Sequence, residues 1–385
     1  MKFNFIKSFT LAAVLTMAGY LVSCSGKDDN KDDARMKDVA EQFVNGTVIP
    51  TYTQLANSSQ QLVEALQTLK TQRSDANVQA ACDLFLKSRA WWEKSEAFLF
   101  GPASDFGIDP HIDSWPLDEN AFNTLMNNAD MLTLLEGENG DVAAGEAFSS
   151  ALLGFHGIEY ILFEDGHAKS ASKITDKDMV YAVAVAGDLR NRCYQLEVSW
   201  AGDKSVASHK TRVQELELNC TVAGGSFSYG QNMLNAGNAG STYSSWVGAL
   251  QAICDGSKTI ADEVGTSKIG KAHNGEDVTY IESPYSQKSL EDFYNNIISI
   301  NNAYMGGVAE LNKRDANKSL HSLIADRNPS LDKKVTTSIV NALNTIKAMP
   351  APFVKHYSDE AYNRAVEACQ AIDEVFSEVI SELAK

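Results

Sequence analysis

His156 and Glu159 stand three residues apart in Gly154-Phe155-His156-Gly157-Ile158-Glu159-Tyr160, inside an apolar run from Leu152 to Phe163. On a helix, residues i and i+3 share a face, so this imidazole and this carboxylate project together. Leu152, His156, Glu159 and Phe163 follow one another in steps of four, three and four, while Phe155, Ile158 and Leu162 coat the flank. A helix apolar on most sides belongs in the interior of a bundle. A carboxylate placed there is costly unless a metal, a cation or hydrogen bonds compensate it.

A second constellation lies upstream. Cys82, Leu86, Arg89, Glu93, Glu96 and Phe100 again form one helical stripe, putting two acids and an arginine in line with apolar residues. Bundles build metal sites from carboxylates and histidines of facing helices. Glu93 and Glu96 with His156 and Glu159 would make a hard oxygen–nitrogen set for iron, manganese or zinc. The plainer arrangement pairs Arg89 with Glu93 at i+4 and leaves the acids on a solvated face. Between the two stripes, the stretch Phe106 to Pro116 adds Asp109, His111 and Asp113 as further ligands, although Asp109 before Pro110 also suits a turn.

Zinc hydrolysis has recognisable patterns that this segment lacks. HExxH needs glutamate where Gly157 stands, and HxxEH needs histidine where Tyr160 stands. A zinc set of His156, Glu159 and a remote histidine (His111, His167 or His273) stays open. No P-loop, dinucleotide fingerprint or nucleophile elbow is present. In the second half, Ser286 precedes Glu291 and Asp292 and reads as a helix N-cap. Alternatively, that helix start could receive an anionic group.

Nearly all the periodicity that must position these residues is helical. Helices are expected over 34–70, 75–98, 143–163, 176–200, 244–264, 286–304, 318–327, 331–349 and 359–384, with Pro50 kinking or breaking the first. The Gly-, Ser- and Asn-rich stretch 220–245 separates two helical halves, 34–219 and 246–385, each with about four long helices. The expected fold is all-α: two four-helix-bundle-like domains packed side by side. Of the cysteines beyond Cys24, Cys82, Cys254 and Cys369 sit in helical patterns as small hydrophobes, and Cys193 and Cys220 could pair in an oxidising compartment.

The first 23 residues, with Lys2 and Lys7 before an apolar run that ends Leu21-Val22-Ser23-Cys24, resemble a bacterial lipoprotein signal. Cys24 would then be acylated, with residues 24–33 a flexible acidic tether. No later stretch approaches the ~20 apolar residues of a membrane span, so lipid would be the sole membrane attachment. Losing residues 1–23 removes two lysines and no acid, taking the net charge from −17 to −19. Such a charge argues against nucleic acid and anionic lipid headgroups as partners and suits a protein that handles cations. The expected location is the cell envelope at the outer membrane, facing the periplasm or exposed at the surface, with envelope proteins as partners.

The segment Gly154 to Glu159 reads GxHxxE and, with Tyr160-Ile161-Leu162-Phe163, resembles the imelysin-like family, peptidase family M75. Phe100-Gly101-Pro102, Ile108 to Pro116, Ser286 to Phe293 and Tyr304-Met305-Gly306-Gly307 are similar as well. The resemblance implies two helical bundles with a site between or within them. It also implies metal ligation by His156 and Glu159 with Glu93, Glu96 and Asp109 as partners; Arg89, Asp113, His111 and Ser286 are the supporting candidates read from the residues themselves. The leading functional expectation is a lipid-anchored protein that binds iron or another divalent metal, free or complexed. The alternatives are an HxxE zinc metallopeptidase, and a surface peptide- or glycan-binding module whose His156–Glu159 pair is structural. In that last case Arg89 would neutralise Glu159 or Glu96.

Overall fold

The computed structural model describes residues 29–385. The signal segment, Cys24 and the tether up to residue 28 lie outside the described residues. The long helices are α1 (Asp29–Gln42), α2 (Ile49–Thr71), α3 (Asp75–Glu93), α4 (Gly154–Leu162) and α5 (Asp176–Ala201). They continue with α6 (Trp246–Asp262), α7 (Ser289–Tyr304), α8 (Pro329–Lys347) and α9 (Ala361–Leu383). Sheet structure among the described residues is confined to a hairpin of β1 (Phe163–Glu164) and β2 (His167–Ala168). The fold is all-α, and no described helix is long and apolar enough to cross a membrane.

Each long helix buries the stripe its spacing dictates. α2 turns Tyr52, Leu55, Leu62, Leu66 and Leu69 inward, and α9 does the same with Tyr362, Ala365, Cys369, Ile372, Phe376, Val379 and Leu383. Ser74 caps α3 by accepting from the Asn77 N–H, Thr175 and Asp178 close a capping box on α5, and Asn328 with Pro329 opens α8. α2, α3, α4 and α5 pack together, as do α6, α7, α8 and α9. α3 lies against α7, and α1 reaches across to α6. One continuous hydrophobic core holds residues of both groups.

Four local expectations are corrected. Pro50 does not end the first helix, because the chain widens into a π-helical turn over Phe43–Val48 and continues. Proline cannot donate to the carbonyl four residues back; that carbonyl, on Gly46, accepts the Val308 N–H at 2.9 Å instead. Residues 29–33, expected in the tether, form the start of α1, where Asp32 pairs with Arg327 at 2.7 Å. The expected helix over 75–98 stops at Glu93, and Glu96 sits on a separate 3₁₀ turn, Glu96–Phe98. The expected helix over 143–163 is broken by extended backbone at Phe148, Ser149 and Leu153 before α4 begins. Cys193 and Cys220 are free thiols, as are Cys82, Cys254 and Cys369.

Candidate metal centre

The site is built around Arg89, fully buried on α3 with its guanidinium carbon 5.2 Å from the centre of the Phe155 ring. Nη1 pairs with Asp113 Oδ1. Nη2 lies 2.5 Å from Glu282 Oε1 and 2.6 Å from Glu93 Oε1, and Nε is 3.5 Å from Asp292 Oδ2. Four carboxylates thus surround one guanidinium. Burial works against its charge, yet Asp113, Glu93, Asp292 and Glu282 together hold its pKa well above the usual arginine value.

Asp113 is the junction between this cluster and the GxHxxE helix. Its Oδ1 accepts from Arg89 and from His156 Nε2 at 2.9 Å, and its Oδ2 accepts from the Trp92 indole at 2.6 Å. Burial opposes its ionisation, but the Arg89 charge and the His156 hydrogen bond outweigh that and hold its pKa well below the usual carboxylate range. The other ring nitrogen of His156, Nδ1, lies 3.2 Å from Glu159 Oε2. Both nitrogens face carboxylates, so the ring is held as an imidazolium: burial pulls its pKa down, and the bonds to Asp113 and Glu159 carry it to about 9. Glu159 Oε1 in turn accepts the backbone N–H and the hydroxyl of Ser286, each at 2.7 Å.

Gly154 and Gly157 explain their own presence in the motif. Gly154 has φ +68°, and a Cβ there would lie 1.9 Å from the Ile112 carbonyl oxygen. At Gly157 a Cβ would lie 2.1 Å from the Tyr181 hydroxyl, which donates to the Leu152 carbonyl at 2.6 Å. Only glycine lets α4 approach the 108–112 segment and α5 this closely.

Lys268 forms the far end of the network. Its ammonium donates to Glu282 Oε1 at 3.1 Å and lies 3.6 Å from Glu93 Oε2 and 3.7 Å from Glu96 Oε1. Asn296 donates to Glu93 Oε2 at 2.5 Å, and the Ser283 hydroxyl donates to Asp292 Oδ2 at 2.5 Å. Six buried carboxylates (Glu93, Glu96, Asp113, Glu159, Glu282 and Asp292) therefore share three cationic groups, Arg89, Lys268 and His156. The imbalance shows in the raised pKa values of three of the acids. Burial pushes Glu93 up to about 7 against the pull of Arg89 and Lys268, and drives Glu96 and Asp292 well above the usual range. Glu282 Oε2 has no hydrogen-bond partner, and Glu93 Oε1 has only its ion pair with Arg89.

Three overlapping groups offer ligand atoms within 4.8 Å of one another: Asp113–His156–Glu282, Glu93–Glu282–Asp292 and Glu93–Glu96–Asp113. Of the expected ligands, His156 falls in one of these groups and Glu93 and Glu96 in another, and Asp113 is common to both. Glu159 lies outside these groups, as does Asp109, which lines a surface cavity of about 420 Å³ with Glu96, Glu263, Ser104 and Thr259. Burial, then the nearby Asp113 and Glu263, push Asp109 up to about 7. His111 is elsewhere, 2.7 Å from Asp188 on α5, and His273 is bound to Asn363 and to the Tyr357 carbonyl.

Arg89 meets Glu93 at i+4, as the plainer arrangement had it, but on a buried face and not a solvated one. It reaches neither Glu159 nor Glu96; Ser286 and His156 serve the first and Lys268 the second. Ser286 is not an N-cap, since α7 begins at Ser289 after Lys288; its N–H and hydroxyl receive an anionic group from the other half of the chain. Glu282 and Lys268 escaped sequence reading, and Asp292 reads in the sequence only as an acid at a helix start. Lys268 left a signal, standing four residues after Val264 and four before Ala272 on an apolar stripe.

Comparison with known proteins places this geometry in a family. The chain is 27% identical over 312 residues to iron-regulated protein A of Synechococcus elongatus, covering 80% of this chain and 75% of that one. The crystal structure of a provisional iron-regulated protein A precursor from Parabacteroides distasonis superposes with a TM-score of 0.73 at 28% identity, covering 91% of this chain and 95% of the other. An imelysin-like protein from Psychrobacter arcticum shares the fold, with a TM-score of 0.57 at 16% identity over 91% of this chain and 96% of its own. The model of the family described as imelysin, Peptidase M75, matches residues 48–379, and with the GxHxxE helix seated on this buried carboxylate network the chain belongs to the imelysin family.

Proposed function

We propose that this chain is a lipid-anchored protein of the cell envelope, at the outer membrane, that binds iron or another divalent metal, free or complexed, in metal acquisition. The cation would sit within the overlapping groups formed by Asp113, His156, Glu282, Glu93 and Glu96, and His156 would join it by giving up a ring proton. The observation that carries this reading is the charge imbalance: six buried carboxylates against three cationic groups, with one oxygen of Glu282 unpartnered. A buried anion without compensation costs several kcal/mol, and carboxylate oxygens with one imidazole suit iron, manganese or zinc. The iron-regulated names of the relatives agree with it.

Metal titration of the protein lacking residues 1–28 tests the proposal, read by calorimetry and elemental analysis. Micromolar binding of Fe²⁺ or Zn²⁺, weakened about 100-fold or more in Glu282→Gln and His156→Ala, is the expected result. Binding absent at millimolar metal, or indifferent to both substitutions, would sink it. One observation favours the second reading, a peptide- or glycan-binding module with a structural pair: both nitrogens of His156 are already engaged by carboxylates. Under that reading the two variants lose stability and no metal is bound. Peptide hydrolysis draws no such support, because Glu159 is held by Ser286 and His156 and is not free to activate water.

A further inference from the structure

Lys268 occupies the place of a bridging cation. It lies on a π-helical turn, Glu263–Ile269, that continues α6. An inserted π turn shifts the residues after it around the helix axis and recurs at functional sites. Here it directs Lys268 to the buried carboxylates while Glu263 lines the neighbouring cavity. The ammonium sits among carboxylates from three separate segments: Glu93 at the end of α3, Glu96 on its 3₁₀ turn, and Glu282 in the loop before α7. It is 1% exposed, with the Trp115 ring 5.3 Å away.

This seat is loosely made. An ammonium has three N–H donors, and only the contact to Glu282 is a hydrogen bond; Glu93 and Glu96 stand beyond bonding distance. A second seat lies beside it. The cavity of about 420 Å³ is lined by Glu96, Asp109 and Glu263 and no cationic residue, and Glu96, 3.7 Å from the Lys268 ammonium, is common to both seats.

We infer that Lys268 is the internal counter-cation of the centre, which an incoming metal ion displaces from Glu93, Glu96 and Glu282 toward the Glu96–Asp109–Glu263 cavity. The inference rests on the metal-binding reading above. It makes Lys268 a specificity-determining residue. A monovalent ion replaces one unit charge with another and gains little, whereas a divalent or trivalent ion adds charge where carboxylates are in excess. The lysine also stabilises the fold before metal binds and lowers the affinity of the centre, since the metal must do the work of displacement.

Mn²⁺ titration of the wild-type protein, Lys268→Met and Lys268→Arg provides the test, together with acetylation of Lys268 by acetic anhydride mapped by mass spectrometry. The methionine variant should bind Mn²⁺ about tenfold tighter or more, and the arginine variant no tighter than wild type. In the wild type, saturating Mn²⁺ should raise Lys268 acetylation several-fold over the Mn²⁺-free protein. Wild-type binding with equal or weaker binding by folded Lys268→Met overturns the role of Lys268 and leaves the metal reading intact. Should the methionine variant not fold, acetylation of the wild type decides: labelling unchanged by bound Mn²⁺ overturns the inference. Absence of Mn²⁺ binding in every folded form overturns both.

Discussion

At the scale of single residues, the centre turns on protonation. His156 holds its proton to about 9 in the folded chain, against about 6.5 when unfolded. Its contribution to stability is therefore complete below about 6.5 and is lost as pH rises through 9, a difference of about 3 kcal/mol. Glu93, raised to about 7, acts in the same direction: the folded chain keeps a proton the unfolded chain releases, so stability falls as pH rises from about 4.5 through 7. Asp113 opposes them only in acid, since its depressed pKa gives stability that is lost as pH falls. Urea unfolding of metal-free protein should accordingly show lower stability at about pH 9.5 than at about pH 6. His156→Gln should flatten the upper half of that slope. Parallel profiles for the two proteins would show that the imidazolium is not the group responsible.

At the scale of elements, close approach matters more than propensity. α4 can start where it does only because Gly154 adopts φ +68° against the Ile112 carbonyl. Gly154→Ala should cost about 3 kcal/mol or more by urea unfolding, from backbone strain and the clash together. Gly107→Ala is the control. Its φ of +60° is similar but nothing lies within 4 Å, so the loss should be about 1 kcal/mol. Equal losses at the two sites would mean that packing at Ile112 is not what requires glycine in the motif. The long helices themselves were legible, because apolar residues at three- and four-residue spacing mark a buried face. Their ends were less so: α3 stops at Glu93 while its apolar pattern runs on to Phe98, and the short helices Glu119–Met126 and Ala129–Glu136 carry too few periods to stand out.

At the scale of the whole molecule, the network ties the two groups of helices into one unit. Arg89 of α3 is bound to Glu282 and Asp292, and Glu159 of α4 is bound to Ser286, all across the contact between them. The hydrophobic core runs through both groups without interruption. Calorimetry should therefore give a single unfolding transition whose van't Hoff and calorimetric enthalpies agree; two resolved transitions would show the halves to be independent. The sequence by itself determined the all-α class and the buried faces of the long helices, and it singled out His156, Glu159, Arg89, Glu93, Glu96 and Asp113 as candidates. Each of those inferences rests on spacing within a few turns of one helix, or on a carboxylate that an apolar run cannot leave alone. Only the tertiary structure decided which charge answers which. It gave Glu282, Asp292 and Lys268 to Arg89 and the α3 acids, and Ser286 to Glu159, from positions more than a hundred residues away. Pairing at that separation is set by how helices dock, and nothing in local periodicity records it.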